Sequence, residues 1–132
     1  MLHDIGKLVL ASNFPADYRR ILEIGRKGTV SFVAAEENTF GANHADVGGY
    51  LLGLWGLPVP VVEAIALHHN PAQCTYTGFS PLTAVHAANA LVDFGGPTDR
   101  LFESSRLDSS YLKLLELDGR LEVWRDTAGS GN

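Results

Sequence analysis

Residues 43–58 read Asn-His-Ala-Asp-Val-Gly-Gly-Tyr-Leu-Leu-Gly-Leu-Trp-Gly-Leu-Pro, and this stretch decides the fold. Asn43 is a natural N-cap. Behind it Val47, Tyr50, Leu51 and Leu54 fall at the i, i+3, i+4, i+7 spacing of one helix face. Gly56 and Pro58 supply the stop. Gly48, Gly49 and Gly53 cost helix propensity, so their presence predicts close packing against a neighbouring helix. Trp55, with the distant Trp124, is expected as a core or helix-packing aromatic.

The same punctuation extends in both directions. Upstream, Leu2, Ile5, Leu8, Val9 and Ser12 trace one helix face. Pro15 ends that helix or opens the next, which carries Tyr18, Ile21 and Leu22 and stops at Gly25 and Gly28. Ser31 is placed to cap a short helix reaching Asn38, broken by Gly41. Downstream, Pro60 suits the first turn of a helix running through Val61, Val62, Ile65 and Ala66 to His68-His69, before Pro71. Ser80-Pro81 opens another, carrying Leu82, Val85, His86, Asn89 and Val92 toward Gly95-Gly96. Asp108 to Arg125 reads as two short helices around Asp118-Gly119, and 127–132 as a frayed tail. No strand alternation is convincing. The reading is all-α, a compact multi-helix bundle, with residues 1–132 forming one domain.

Composition agrees. The 132 residues are 45% hydrophobic and 19% charged, enough apolar material for a core and too little charge for disorder. The net charge is -5 and the few Lys and Arg are dispersed, so no nucleic-acid footprint is expected. Apolar runs are too short to span a bilayer, and charges interrupt the first residues where a signal sequence would be apolar. Cys74 is the single cysteine and cannot form an internal disulfide. A cytoplasmic protein without membrane contact is the expectation.

Five histidines stand at 3, 44, 68, 69 and 86. A lone His is ordinarily a surface or satisfied core residue. Their placement here carries more. His3 and Asp4 are adjacent, His44 lies in the first turn of its helix, and His68 and His69 follow Val61 and Val62 by seven positions, continuing the apolar stripe. Imidazoles entering a core need partners, either a metal ion or a hydrogen-bond network. A mixed His/carboxylate set suits a divalent ion and the hydrolysis of a phosphoester. The expectation is that His3, Asp4 and His68 or His69 converge in space. The glycines at 48 and 49 do not resemble a phosphate loop, and Cys74 has no evident base beside it.

The segments Leu-His-Asp-Ile-Gly-Lys at 2–7, the whole of 43–58, Val-Glu-Ala-Ile-Ala-Leu-His-His-Asn-Pro at 62–71 and Val-His-Ala-Ala-Asn-Ala-Leu at 85–91 together resemble the HD-related output domain, HDOD, of the HD superfamily of metal-dependent phosphohydrolases. The resemblance runs to about Arg125 and implies an HD-like helical bundle. It also implies metal ligands, and in an active member catalytic residues, at His3 and Asp4. Candidates for a second metal position are His44, His68 and His69, and His86 and Asn89 are possible lining residues. The implied cofactor is a divalent metal (Mn, Fe, Zn or Mg) or an empty site. Two departures stand out. An earlier His of the HD pattern would fall upstream of residue 1, and the late Asp position holds Asn89. The residues after His69 lack the Asp-Gly-x-Gly-Tyr-Pro pattern, which argues against cyclic-di-GMP hydrolysis.

Two functions follow. One is a signalling or regulatory output module without turnover, the role that the resemblance implies, with a signalling-protein partner. The other is a metal-dependent phosphohydrolase acting on a nucleotide or other phosphoester. The resemblance also implies helices ahead of the His-Asp pair, which this sequence lacks. Uncovered, the face of Leu2, Ile5, Leu8 and Val9, with part of Val47, Leu51 and Leu54, would favour a homo-oligomer.

Overall fold

The structure, a computed structural model, describes residues 2–28, 30–91 and 107–129. It is all-α. After a 3-10 turn at Leu2–Asp4 come α1 (Ile5–Asn13), α2 (Pro15–Lys27), α3 (Phe32–Phe40), α4 (His44–Leu54) and α5 (Val59–Ala66). A 3-10 turn at Pro71–Gln73 leads toward α6 (Pro81–Leu91), and α7 (Ser109–Leu114) and α8 (Leu121–Gly129) close the described chain. Among the described residues no strand forms, and no helix is long and apolar enough to cross a membrane.

Local chemistry sets the boundaries. Ser31 accepts the backbone N–H of Ala34, and Gly41 ends α3 in the left-handed region at φ 76°. At α4 the cap is reciprocal. Asn43 accepts from the N–H groups of Ala45 and Asp46, while Asp46 accepts from the N–H of Asn43. Asp108 caps α7 by accepting the N–H groups of Ser110 and Tyr111. Pro15 sits at the first turn of α2, which continues through Gly25 rather than stopping there.

Helix α4 is the centre of the arrangement, with α1 on one side and α5 on the other. α5 in turn packs on α6, and α6 on α8. Glycine permits the closest approach. A Cβ at Gly6 would overlap the carbonyl oxygen of His44, and one at Gly49 would lie 2.7 Å from the Cβ of Ala66. Gly53 differs from the expectation, since its nearest neighbour would be Val62 at an ordinary 3.9 Å. Leu10, Tyr18, Ile21, Phe32 and Ala35 form a buried cluster joining α1, α2 and α3.

Three sequence readings change. Helix α5 ends at Ala66, so His68 and His69 sit in the turn after it, where Leu67 has left helical geometry (φ -110°, ψ 6°). Trp55 is 65% exposed and is no core residue, because it falls at the C-cap of α4 where the chain turns outward. Residues 127–129, expected in a frayed tail, extend α8. Val92, Gly95, Gly96 and residues 130–132 lie outside the described residues.

Candidate metal centre

The helix contacts bring His3, Asp4, His44, His68 and His69 to one place, although they span 66 positions between the first and last. His3 and Asp4 end the first 3-10 turn. Gly6, two residues beyond, lets that turn press against the first residues of α4, and His44 is the first of them. His68 and His69 come from the turn after α5, and two contacts hold that turn. The His68 Nδ1–H donates to the Ile65 carbonyl at 2.7 Å, and the His86 Nδ1–H donates to the His68 carbonyl at 2.7 Å.

Asp4 is the hub. Its Oδ1 lies 3.3 Å from His44 Nε2, 4.0 Å from His68 Nε2 and 3.0 Å from Lys7 Nζ, and its Oδ2 lies 3.5 Å from His3 Nε2. These are charge contacts, since Oδ1 makes no well-directed hydrogen bond. His44 and His69 face each other at 2.8 Å through their Nε2 atoms. One donor atom from each of His44, His68 and His69 lies within 4.8 Å of the others, and the same holds for His3, Asp4 and His68.

Burial sets the charges. Burial works against the Asp4 carboxylate, but the His44 ring and the Lys7 ammonium outweigh it and hold the group well below the usual carboxylate range. Burial also pulls His44 down, and there Asp4 and Glu36 prevail, so His44 holds its proton more tightly than an ordinary histidine. His68 is pushed down to about 4 by burial and by the neighbouring His44 and His3. His69 is pushed down further, by burial and the same ring cluster. Burial lowers His3 too, with Asp4 partly offsetting it.

The residues present fit a divalent cation. His68 is 0% exposed and neutral, and its Nδ1 already donates to a carbonyl. Its Nε2 is therefore a buried lone pair, and no donor meets it. A buried acceptor without a partner is costly, and a cation on the Asp4 side removes that cost. Donor atoms bound at ~2 Å to one ion lie roughly 3–4 Å apart, close to the spacings found here.

The other candidates fall into place around this set. Asn89 on α6 is tied to the His3 ring by a side-chain hydrogen bond, so it reaches the edge of the centre. His86 does not line it. Its Nδ1 is taken by His68 and its Nε2 accepts the backbone N–H of Asp108 at 2.9 Å, which makes it a brace behind His68. One participant was missed in the sequence. Glu36 on α3 is 0% exposed and meets the far side of His44. Its signal was available, since it shares the i, i+4 stripe of Phe32 and Phe40. Beside His69 opens a pocket of about 320 Å³ whose polar lining includes Glu37, Asn43, Asp46 and Asn70, with carboxylates and no cationic side chain.

The family model described as HDOD domain matches residues 1–71, a span that holds His3, Asp4, Glu36, His44, His68 and His69. An uncharacterized protein of Treponema pallidum (strain Nichols) is 30% identical over 94 residues, covering 71% of this chain and 18% of that protein. The chain thus spans less than a fifth of the relative's length. No solved structure matches.

Proposed function

The chain belongs to the HDOD domain family, and from that premise we propose that it is a regulatory output module built around a closed metal centre, without turnover. The observation that carries this reading is the closure of the donor set. His44 and His68 are 1% and 0% exposed, His44, His68 and His69 offer three donors within 4.8 Å of one another, and Asp4 Oδ1 stands 3.3 Å from His44 Nε2 and 4.0 Å from His68 Nε2 as the neighbouring fourth. Structural sites fill their coordination with protein atoms, whereas catalytic ones keep a position open. A set rich in imidazole favours Zn or Fe over Mg. In this role the ion ties the first 3-10 turn, α4 and the turn after α5 together, and the exposed faces of the bundle are left to meet a signalling partner or a second copy.

The second reading is a metal-dependent phosphohydrolase. It is favoured by the partial exposure of the Asp4 and His3 side chains, 33% and 19%, with Lys7 beside them. There the ion would supply Lewis acidity toward a phosphoester. The acidic pocket beside His69 argues against an anionic substrate on that side, and Asn89 offers a neutral amide where a carboxylate ligand is expected.

Metal content and turnover separate the two. Protein purified without added ions is expected to retain close to one transition metal per chain. It is expected to hydrolyse bis-(p-nitrophenyl) phosphate no faster than Asp4→Ala does, with Mn, Fe or Zn supplied. Turnover that disappears in both His3→Ala and Asp4→Ala would replace the module with the enzyme.

A further inference from the structure

Glu36 is a buried carboxylate that stands outside the cluster and touches one of its members. Its Oε2 accepts the backbone N–H of His44 at 2.8 Å and the ring Nδ1–H of the same residue at 2.6 Å. Its Oε1 accepts from the Tyr18 hydroxyl at 3.4 Å. A carboxylate removed from water persists only where donors meet its oxygens. An N-terminal helix cap explains the backbone contact, because the first N–H groups of a helix lack partners. It does not explain the shorter contact to the ring.

We propose that Glu36 is the positioning residue of the centre: by accepting the hydrogen bond of the His44 Nδ1–H it fixes that ring with Nε2 toward Asp4 and His69, as a donor for a divalent cation. The inference rests on the metal reading above. A neutral imidazole carries one proton, and holding it at Nδ1 leaves the lone pair at Nε2. The ring is also confined on its flank, with the Phe32 centroid 6.3 Å away. Carboxylates behind metal-binding histidines set the tautomer and strengthen the ligand, and losing one lowers metal affinity about 10–100-fold.

The test uses the whole chain, Zn²⁺ as probe, and two substitutions. Glu36→Leu removes the acceptor at similar volume. Glu36→Gln keeps an oxygen in the same place. Zinc affinity is read by chelator competition, and the His44 ring proton by ¹H–¹⁵N NMR, with and without zinc, at a pH above its titration. The expected wild-type ring is protonated at Nδ1. E36L is expected to lose about 10–100-fold in zinc affinity, and E36Q to recover to within about tenfold of wild type. A core variant of equal thermal destabilisation, Leu52→Ala, is expected to stay within about twofold, which separates positioning from general loosening. A wild-type ring protonated at Nε2 overturns the proposal before any variant is made, and so does E36L binding zinc within about twofold of wild type. If the wild type binds no zinc, the metal reading fails by itself. The zinc-free rings then decide: Nδ1–H in wild type and E36Q with a mixture in E36L supports the positioning role, and one unchanged tautomer in all three overturns it.

Discussion

The Nε2 lone pair of His68 lies 4.0 Å from Oδ1 of Asp4, and no hydrogen bond reaches either atom. Two acceptors facing each other in a buried place repel unless a cation lies near both. Lys7 serves Asp4 at 3.0 Å but does not serve His68. The centre thus has a carboxylate already paired and an imidazole still waiting, which is the electrostatic reason to place a metal ion there.

Acid should weaken the metal-free fold. His68 is lowered to about 4 and His69 further, so between the ordinary histidine value of about 6.5 and about 4 the unfolded chain binds more protons than the folded one. Stability therefore falls as pH drops through that window. His44, which is raised, works the other way: its contribution is complete below about 6.5 and is lost as pH rises through its folded value. Asp4 contributes stability that is present above its ordinary carboxylate value and is lost as pH falls through its depressed one. With His3, His68 and His69 lowered against His44 raised, a net loss of about 2–4 kcal/mol is expected between neutral pH and the acid end of the window. Urea melts of the chelated protein at both ends check it, and an unchanged midpoint would contradict it.

Zinc affinity should rise with pH through the His44 titration, because the ion must displace the Nε2 proton, which the charges of Asp4 and Glu36 stabilise on the ring. Isothermal titration in buffers of different ionisation heat counts the protons released. Release of none near neutral pH would contradict the arrangement.

Gly6→Ala should be the most damaging glycine substitution among the described residues. Its methyl would meet the His44 carbonyl and press on the Gly48 backbone nitrogen at 3.0 Å, so α1 must leave α4. A cost of at least about 3 kcal/mol is expected in chemical denaturation, with loss of zinc binding as Asp4 withdraws. Gly53→Ala, with only Val62 at 3.9 Å, should be neutral or slightly stabilising.

This contrast marks how far the sequence could be read. Caps at Ser31, Asn43 and Ser80 depend on neighbours in the chain, so they were legible. The packing role of Gly48 and Gly49 was legible too, because a glycine inside a helix carries a propensity cost that needs a reason. The convergence of His3, Asp4 and the His68-His69 pair was legible from the family resemblance; the apolar stripe expected to carry His68 and His69 ends at Ala66, and the turn after α5 delivers them instead. Other features depended on tertiary partners. His86 looked like a lining residue, yet its role is set by Asp108, 22 positions on. Glu36 was passed over because a Glu on a short helix is ordinarily solvated, and only the arrival of His44 from the next helix shows why it is buried. Trp55 was misjudged because an aromatic beside a Gly-Leu-Pro stop can turn to either side.

His86→Ala should cost about 2–4 kcal/mol, since it leaves the buried His68 carbonyl and the half-buried Asp108 N–H without these partners. Zinc affinity should fall less than it does in His68→Ala. Equal losses in the two variants would return His86 to the ligand set.

Self-association is expected at the apolar side chains left in water. Leu8 is 65% and Leu2 49% exposed on the first turns, and Tyr50, Leu54 and Trp55 are 73%, 67% and 65% exposed along α4. Light scattering at micromolar concentration should give a mass above the 14.2 kDa of one chain, and Leu8→Glu or Val9→Glu should reduce it. A monomer mass together with a cooperative melt would rule this out.

X-ray absorption at the zinc edge, on protein loaded with one equivalent, tests the closed centre most directly. The account predicts a four-coordinate shell at ~2.0–2.1 Å, with the multiple-scattering pattern of three imidazoles and one oxygen from Asp4. A five- or six-coordinate shell rich in water oxygens, or one with fewer than two imidazoles, would contradict it.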